Sequence, residues 1–243
     1  MMPIPFIPIG AIAFAILVYA SGLAPQTHAV PDASSIPAAE QQLPSRTPTV
    51  LARAGDVEIL AFQPPEDGVY KGITVRAPSR DQTFAWSTSS NETYAPAVSL
   101  TDLTGDNKNE LTIILTKGYG TGVLEQEIHV LNPEDVTEIP LENPLEAVRE
   151  QVSASMTPSD DSMILTLHID NKGDVVKLYD ASYAAVWLDH PGYGSILKYE
   201  VRDNRLWAYV SVSVSPAELA GMLAAEYDTG LKIKDLNFEE QIR

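Results

Sequence analysis

A short acidic stretch between two apolar runs carries the residue types and the spacing that imply chemistry. Oxygen donors recur there at Asp102, Thr104, Asp106 and Glu110. A chain that wraps around a cation points every second side chain inward, and calcium takes oxygen ligands. Lys108 would add its backbone carbonyl. The spacing predicts a calcium site formed by these five residues.

The same stretch has a second interpretation as a plain hairpin loop. Gly105 and Asn107 stand where a sharp bend requires residues that tolerate a positive φ. The Asp side chains of such a loop can accept hydrogen bonds from nearby backbone N–H groups, as they do in Asx-turns. From the residues alone, both the metal site and the plain turn remain open.

The acidic stretch also resembles a known repeat. Its pattern Asp102-x-Thr-Gly-Asp-Asn-x-x-Glu110-Leu111 is similar to the D-x-N-G-D-G-x-x-D-L loop of FG-GAP and VCBS repeats, the propeller blades of integrin α chains and of many secreted bacterial proteins. The similarity extends over residues 68–132 and covers one blade. It implies a loop that joins two blade strands and holds calcium. Thr104 stands where the family usually has Asn or Asp, and Asn107 where it usually has Gly.

A second resemblance covers most of the chain. The sequence from Tyr70 to the C-terminus is similar to small uncharacterised envelope proteins of Gram-positive spore formers. That resemblance implies export but no known activity.

Composition restricts the possible partners. The formal net charge is −17 and the sequence pI is about 4.5, so the phosphates of nucleic acid would be repelled. The chain has no cysteine, which excludes disulfides and thiolate metal sites. Cations and basic surfaces are the expected partners.

The first 30 residues predict export. They contain no charged residue, have an apolar run over residues 9–20, and end in the small-residue exit Thr27-His-Ala29. This pattern is typical of a signal peptide or of an uncleaved membrane anchor. Residues 31–49 are rich in Pro, Ala, Ser and Gln and indicate a flexible linker. We therefore expect a protein of the cell envelope or the extracellular space.

Residues 50–243 predict one mainly β domain. Short segments with a period of two, separated by turn residues, favour an antiparallel, blade-like meander with its centre at residues 68–132. One helix has clear start signals: Asn143 suits the N-cap, Pro144 the first turn and Glu146 the third helical position. We predict that this helix, over residues 144–152, covers the sheet.

One further group could carry chemistry. Glu125, Glu127 and His129 alternate along one predicted strand, as metal ligands or acid–base carboxylates would, although the solvent face of an edge strand has the same pattern. The sequence favours an exported, non-enzymatic module that binds an envelope or extracellular protein or a glycan, or that scaffolds an assembly at the cell envelope. The alternative is an envelope hydrolase that uses Glu125, Glu127, Asp106 or Glu110.

Overall fold

The structure, a computed structural model, describes residues 47–240. The predicted signal segment and nearly all of the predicted linker lie outside the described residues. Within residues 47–240, no helix has the length and apolar character that crossing a membrane requires. The mainly β, antiparallel fold with a covering helix is confirmed.

Fifteen strands and one α-helix make up the secondary structure of residues 47–240, together with two single-turn 3-10 helices. The strands are β1 (Thr49–Ala54), β2 (Val57–Ala61), β3 (Val69–Arg76), β4 (Asp81–Ser89), β5 (Ala97–Thr101), β6 (Glu110–Gly120), β7 (Val123–Asn132), β8 (Thr137–Glu138), β9 (Val152–Ser159), β10 (Ser162–Ile169), β11 (Gly173–Asp180), β12 (Gly192–Arg202), β13 (Arg205–Ser213), β14 (Leu219–Tyr227) and β15 (Ile233–Glu239). The helix α1 spans Pro144–Gln151.

The strands form three sheets. Strands β1 to β4 make a four-stranded antiparallel meander, and β9 to β11 make a three-stranded sheet in the order β11-β10-β9. The largest sheet has eight strands in the order β15-β14-β13-β12-β7-β6-β5, with β8 added beside β7. Strands β7 and β12 pair in parallel over a short stretch. The pairs β6–β7 and β12–β13 on either side are antiparallel.

The eight-stranded sheet is covered on both faces, because alternate residues of β6 enter two different cores. Leu111, Ile113 and Leu115 pack with the four-stranded sheet. Ile114 lies in the other core, which includes Val148 of α1 and apolar residues of β10, β13 and β14. A strand that is buried on both faces loses the apolar–polar alternation of a surface strand, and β6 accordingly reads as a nearly continuous apolar run.

Helix α1 begins as predicted. The Asn143 side chain accepts a hydrogen bond from the N–H of Leu145, and Pro144 occupies the first turn. Val148 is fully buried and Glu150 is exposed. Leu145 is partly buried, at the margin of the core.

One difference from the sequence-based topology bears on the site. Residues 68–132, predicted as the blade-like centre, are divided between two sheets, since β3 and β4 belong to the meander and β5 to β7 to the eight-stranded sheet. At the other end of the eight-stranded sheet, β14 pairs with both β13 and β15.

Candidate functional site

The acidic loop, residues 102–110, joins β5 to β6 at the end of the eight-stranded sheet. Gly105 has φ 76° and Asn107 has φ 66°. Both residues were predicted to take a positive φ, and both do. This backbone turns back sharply enough to bring the two ends of the loop together.

The two Asp side chains accept hydrogen bonds from the loop backbone. Asp102 Oδ1 accepts from the N–H of Gly105 at 2.7 Å, and Asp102 Oδ2 accepts from Asn107 at 3.0 Å. Asp106 Oδ1 accepts from the N–H of Lys108 at 2.8 Å. The Asp106 contact is that of an Asx-turn, and the Asp102 contacts close the loop over three and five residues, so the plain-turn interpretation accounts for the local shape of the loop.

Glu110 differs from the two Asp residues because its side chain is buried, with 5% of the residue exposed. Its Oε2 accepts from the N–H groups of Leu103 at 2.7 Å and Thr104 at 3.0 Å, while its Oε1 accepts from the Thr104 hydroxyl at 3.1 Å. A buried carboxylate needs such donors, because an unpaired charge in this position would be costly.

The loop nevertheless brings its carboxylates together. One oxygen each of Asp102, Asp106 and Glu110 lies within 4.8 Å of the others, and within residues 47–240 this is the only such group of three. Carboxylate oxygens have more than one lone pair, so one that accepts a hydrogen bond can still bind a cation. The arrangement suits a hard cation with oxygen ligands.

The other two predicted ligands, the Thr104 hydroxyl and the Lys108 backbone carbonyl, stay predictions. The Thr104 hydroxyl donates to Glu110, and the Lys108 side chain extends to Glu134, with Nζ to Oε1 at 3.2 Å. The structure therefore unites three of the five predicted residues through their carboxylates. Asp106 and Glu110 also line a cavity of about 530 Å³, which gives solvent and ions access to the cluster.

The row Glu125, Glu127 and His129 does not lie wholly on a solvent face, and that interpretation was wrong for His129. The imidazole is only 7% exposed, whereas the Glu127 side chain is 42% exposed. The indole of Trp86 stacks on the imidazole with ring centroids 3.7 Å apart. The four-stranded sheet thus covers the His129 end of the row.

These side chains line the largest cavity described, of about 730 Å³. The cavity opens beside β7. It lies between the part of β7 that pairs with β12 and the part that pairs with β8. Burial, with a contribution from the Glu127 carboxylate, raises the pKa of Tyr199 on the cavity wall to about 12. Tyr199 is therefore neutral at physiological pH.

The carboxylates named for a hydrolase are separated by this geometry. Glu125 and Glu127 line the cavity beside β7, whereas Asp106 and Glu110 line the cavity at the acidic loop. The structure therefore divides the four carboxylates between two cavities.

The sequence did not predict two partners of His129 and one of Glu127. Glu138 bonds to the His129 ring, Trp86 stacks on that ring, and Lys117 pairs with Glu127. Each belongs to a different strand from His129, so no local spacing connects them. The alternation of Glu125, Glu127 and His129 along β7 was the signal of this site that the sequence offered. Glu138 lies beside the His129 ring because the chain folds back to β7 through β8.

A separate surface feature lies on the three-stranded sheet. Val176 and Leu178 of β11 are 62% and 69% exposed, and Tyr183 and Val186, in the segment that follows, are 49% and 62% exposed. Val176 and Leu178 alternate along β11, so their side chains lie on one face of the three-stranded sheet, whereas Tyr183 contacts Tyr179 and Trp187. Exposed apolar side chains that lie together are typical of interaction sites. We call Val176 and Leu178 the β11 face.

No protein-family model matches the chain, and comparisons with curated proteins and with solved structures also find no match.

Proposed function

We propose that the protein is an exported, non-enzymatic module that binds an envelope or extracellular protein through the β11 face, and that calcium bound to the acidic loop stabilises it. The observation that carries the proposal is the exposure of the β11 face. Leu178 has the highest exposed fraction of the large apolar side chains within residues 47–240, at 69%, and Val176 follows at 62%.

Strand β11 is suited to receive a partner strand. Within the described part of the chain it is hydrogen-bonded on one side only, to β10. Exposed strand edges pair readily with other chains, and proteins usually protect them with charged or bulged residues. Here the centre of the outward face is aliphatic, which favours an added protein strand over a sugar, since sugars are bound by aromatic faces and dense hydrogen bonding.

Charge restricts the partner further. Asp174 and Asp180 flank the aliphatic centre near the two ends of β11, and the whole chain is strongly acidic. A complementary segment would present apolar side chains bordered by Lys or Arg. We therefore propose a strand of that composition as the occupant.

Calcium has a structural role in this proposal. Three carboxylates within 4.8 Å repel one another, and a divalent cation would convert that repulsion into attraction. The loop joins two strands of the sheet on which both cores are built. A bound ion would thus stabilise the module without touching the β11 face.

The proposed interface can be tested by site-specific photo-cross-linking. The full chain, produced in its own cells, would carry the cross-linker at Val176 or at Thr157. Thr157 is the matched control, because it is exposed on the same sheet and pairs with Ile164, which also pairs with Leu178 on the other side. We expect one envelope protein to cross-link from position 176 and not from position 157.

A substitution sharpens the test. Leu178→Lys should weaken the cross-link from position 176 about tenfold or more, because the burial of one leucine contributes about 1.5–3 kcal/mol. Equal labelling from both positions, a glycan product, or cross-links only between copies of this chain would contradict the proposed partner.

N-terminal sequencing of the exported protein should find a start near Val30, or Met1 in the membrane fraction if the segment is an anchor. A full-length cytosolic protein would contradict export.

A further inference from the structure

The cavity beside β7 holds a histidine that is fixed in place by its surroundings. His129 Nδ1 lies 2.5 Å from Glu138 Oε1, and the imidazole stacks on Trp86, whose indole stacks in turn on Phe84 with centroids 3.8 Å apart. A carboxylate can only accept a hydrogen bond, so Nδ1 is the protonated nitrogen in this contact. In the neutral ring, the lone pair is then on Nε2.

That second nitrogen has no hydrogen-bond partner. Nε2 is a buried atom within a side chain that is 93% buried, and it lies 3.7 Å from Glu127 Oε1. This separation is too long for a hydrogen bond. Buried polar atoms are almost always satisfied, so an unpartnered Nε2 in a residue that lines a cavity points to a ligand.

The separation of 3.7 Å fits two donors that share one metal ion. Nitrogen and oxygen ligands of zinc stand about 2.0–2.2 Å from the metal, which puts two tetrahedral neighbours about 3.4 Å apart. The carboxylate of Glu138, which contacts the other nitrogen of the imidazole, also fits a metal site. A histidine that binds a metal usually donates its other N–H to a carboxylate or carbonyl, which fixes the ring and its tautomer.

We propose that His129 Nε2 and Glu127 Oε1 bind a divalent first-row transition metal ion of the zinc type, with Glu138 orienting the imidazole. Imidazole nitrogen favours such ions over calcium or magnesium, which prefer oxygen. The protein supplies two ligands, and the remaining coordination positions face the cavity, where water or a small ligand would complete them.

Charge in the cavity agrees with a divalent cation. Glu125, Glu127, Glu138 and Glu142 line it together with Lys117, and the formal sum of these five side chains is −3. Lys117 Nζ lies 3.0 Å from Glu127 Oε2. The ammonium thus occupies one carboxylate oxygen of Glu127 and leaves Oε1 directed towards His129.

The chain contains a matched control for this site. His168 Nδ1 lies 2.7 Å from Asp174 Oδ1, a histidine–carboxylate pair of the same kind. The side chains of His168 and Asp174 are both more than half exposed, and neither residue lines a cavity described above. If the cavity is what makes a metal site, His168 should contribute nothing to tight binding.

The test uses the untagged full chain, stripped with a chelator and titrated with zinc by calorimetry in the presence of excess calcium. Cobalt absorption spectra would report nitrogen ligation directly. We expect one tight equivalent for the native protein and for His168→Ala. We expect Glu127→Gln and His129→Ala to lose it. Glu138→Gln should weaken it about 10- to 100-fold, as the loss of an orienting carboxylate does at other metal sites.

Each outcome decides the proposal. No tight zinc equivalent in the native chain would overturn it, and so would an equal loss in His168→Ala. If His129→Ala fails to fold, Glu127→Gln is decisive, because its side chain is partly exposed and the substitution preserves its shape. Unchanged zinc affinity in that variant would overturn the site. Loss of the zinc equivalent in Glu127→Gln and His129→Ala, which leave the acidic loop unchanged, assigns the ion to this cavity whether or not the loop binds calcium.

Discussion

Asp102 and Glu110 hold the acidic loop closed from its two ends. Asp102 accepts hydrogen bonds from Gly105 and Asn107, which follow it, and Glu110 accepts from Leu103 and Thr104, which precede it. Each carboxylate therefore has backbone donors of its own. These hydrogen bonds do not by themselves require the carboxylates of Asp102 and Glu110 to lie close to the carboxylate of Asp106, yet in the structure they do.

Calcium should raise the stability of the native protein through this convergence. A site with a dissociation constant of about 10⁻⁴–10⁻³ M adds roughly 2.7 kcal/mol when calcium exceeds that constant a hundredfold. Asp106→Asn should remove most of this gain, because it takes one charge from the cluster and keeps the side-chain shape. Thermal melts in chelator and in calcium measure both effects, and magnesium should stabilise the native protein less.

Asp135→Asn is the control for that experiment. Asp135 also accepts a hydrogen bond from the N–H two residues further on, as Asp106 does, but it stands outside the cluster. Its variant should keep the full calcium-dependent shift. If calcium does not change the melting temperature of the native protein, the loop is a turn that binds no calcium.

Helix α1 allows a direct test of packing. Val148 is fully buried in the larger core and Glu150 is exposed on the other side of the helix. Val148→Ala should cost about 1–3 kcal/mol of unfolding free energy, while Glu150→Ala should change it by less than about 0.5 kcal/mol. Leu145→Ala should cost less than a fully buried leucine would, because Leu145 lies at the core margin. Denaturant melts measure all three, and equal effects of Val148→Ala and Glu150→Ala would contradict the packing described.

The hairpins could be predicted because their signals are local. In β10 and β11, alternating apolar residues lead into the turn at residues 171–173, and the two strands pair from Ile169 with Gly173 onwards. The turn between β12 and β13 likewise has Asp203 and Asn204 at φ 52° and 57°, residues that tolerate this conformation. Period and turn chemistry were sufficient in both places.

The pairings that were missed are either weakly patterned or distant in sequence. Strand β9 has the sequence VSASMTPS, whose single large apolar residue after Val152 leaves almost no alternation, and it is held by its register with β10. The parallel contact of β7 with β12 joins Leu124 to Ile196 across a long separation. Neither depends on a local preference that a sequence pattern could reveal.

The environment of His129 shows why the second candidate site could not be predicted in full. Its alternation with Glu125 and Glu127 is what a solvent-facing row would also have. Burial comes from Trp86, on a different sheet, and orientation comes from Glu138 after a loop. Residue types suggested the chemistry, and only the tertiary packing distinguishes His129 from an ordinary surface histidine.

The ion pair between Lys172 and Asp235 gives a pH-dependent prediction. Lys172, in the turn between β10 and β11, places Nζ 2.7 Å from Asp235 Oδ1 on β15. The hydrogen bond from Lys172 lowers the pKa of Asp235 below its ordinary value, with smaller contributions from Asn237 and the Lys172 charge. A carboxyl whose pKa is lower in the folded state stabilises the fold above its unfolded pKa, near 3.9, and this stability is lost as pH falls through the folded pKa.

Lys172→Met should therefore raise the Asp235 pKa and lower stability at neutral pH by about 0.2–1 kcal/mol, the usual range for a solvent-accessible pair. The difference from the native protein should shrink below about pH 4, where the carboxyl becomes protonated in both proteins. Lys232→Met, which removes an exposed lysine from the neighbouring loop, should leave the Asp235 pKa unchanged. NMR titration of the Asp235 carboxyl carbon measures the pKa in all three proteins. The same pKa in Lys172→Met as in the native protein would show that this contact does not hold the turn to β15 in solution.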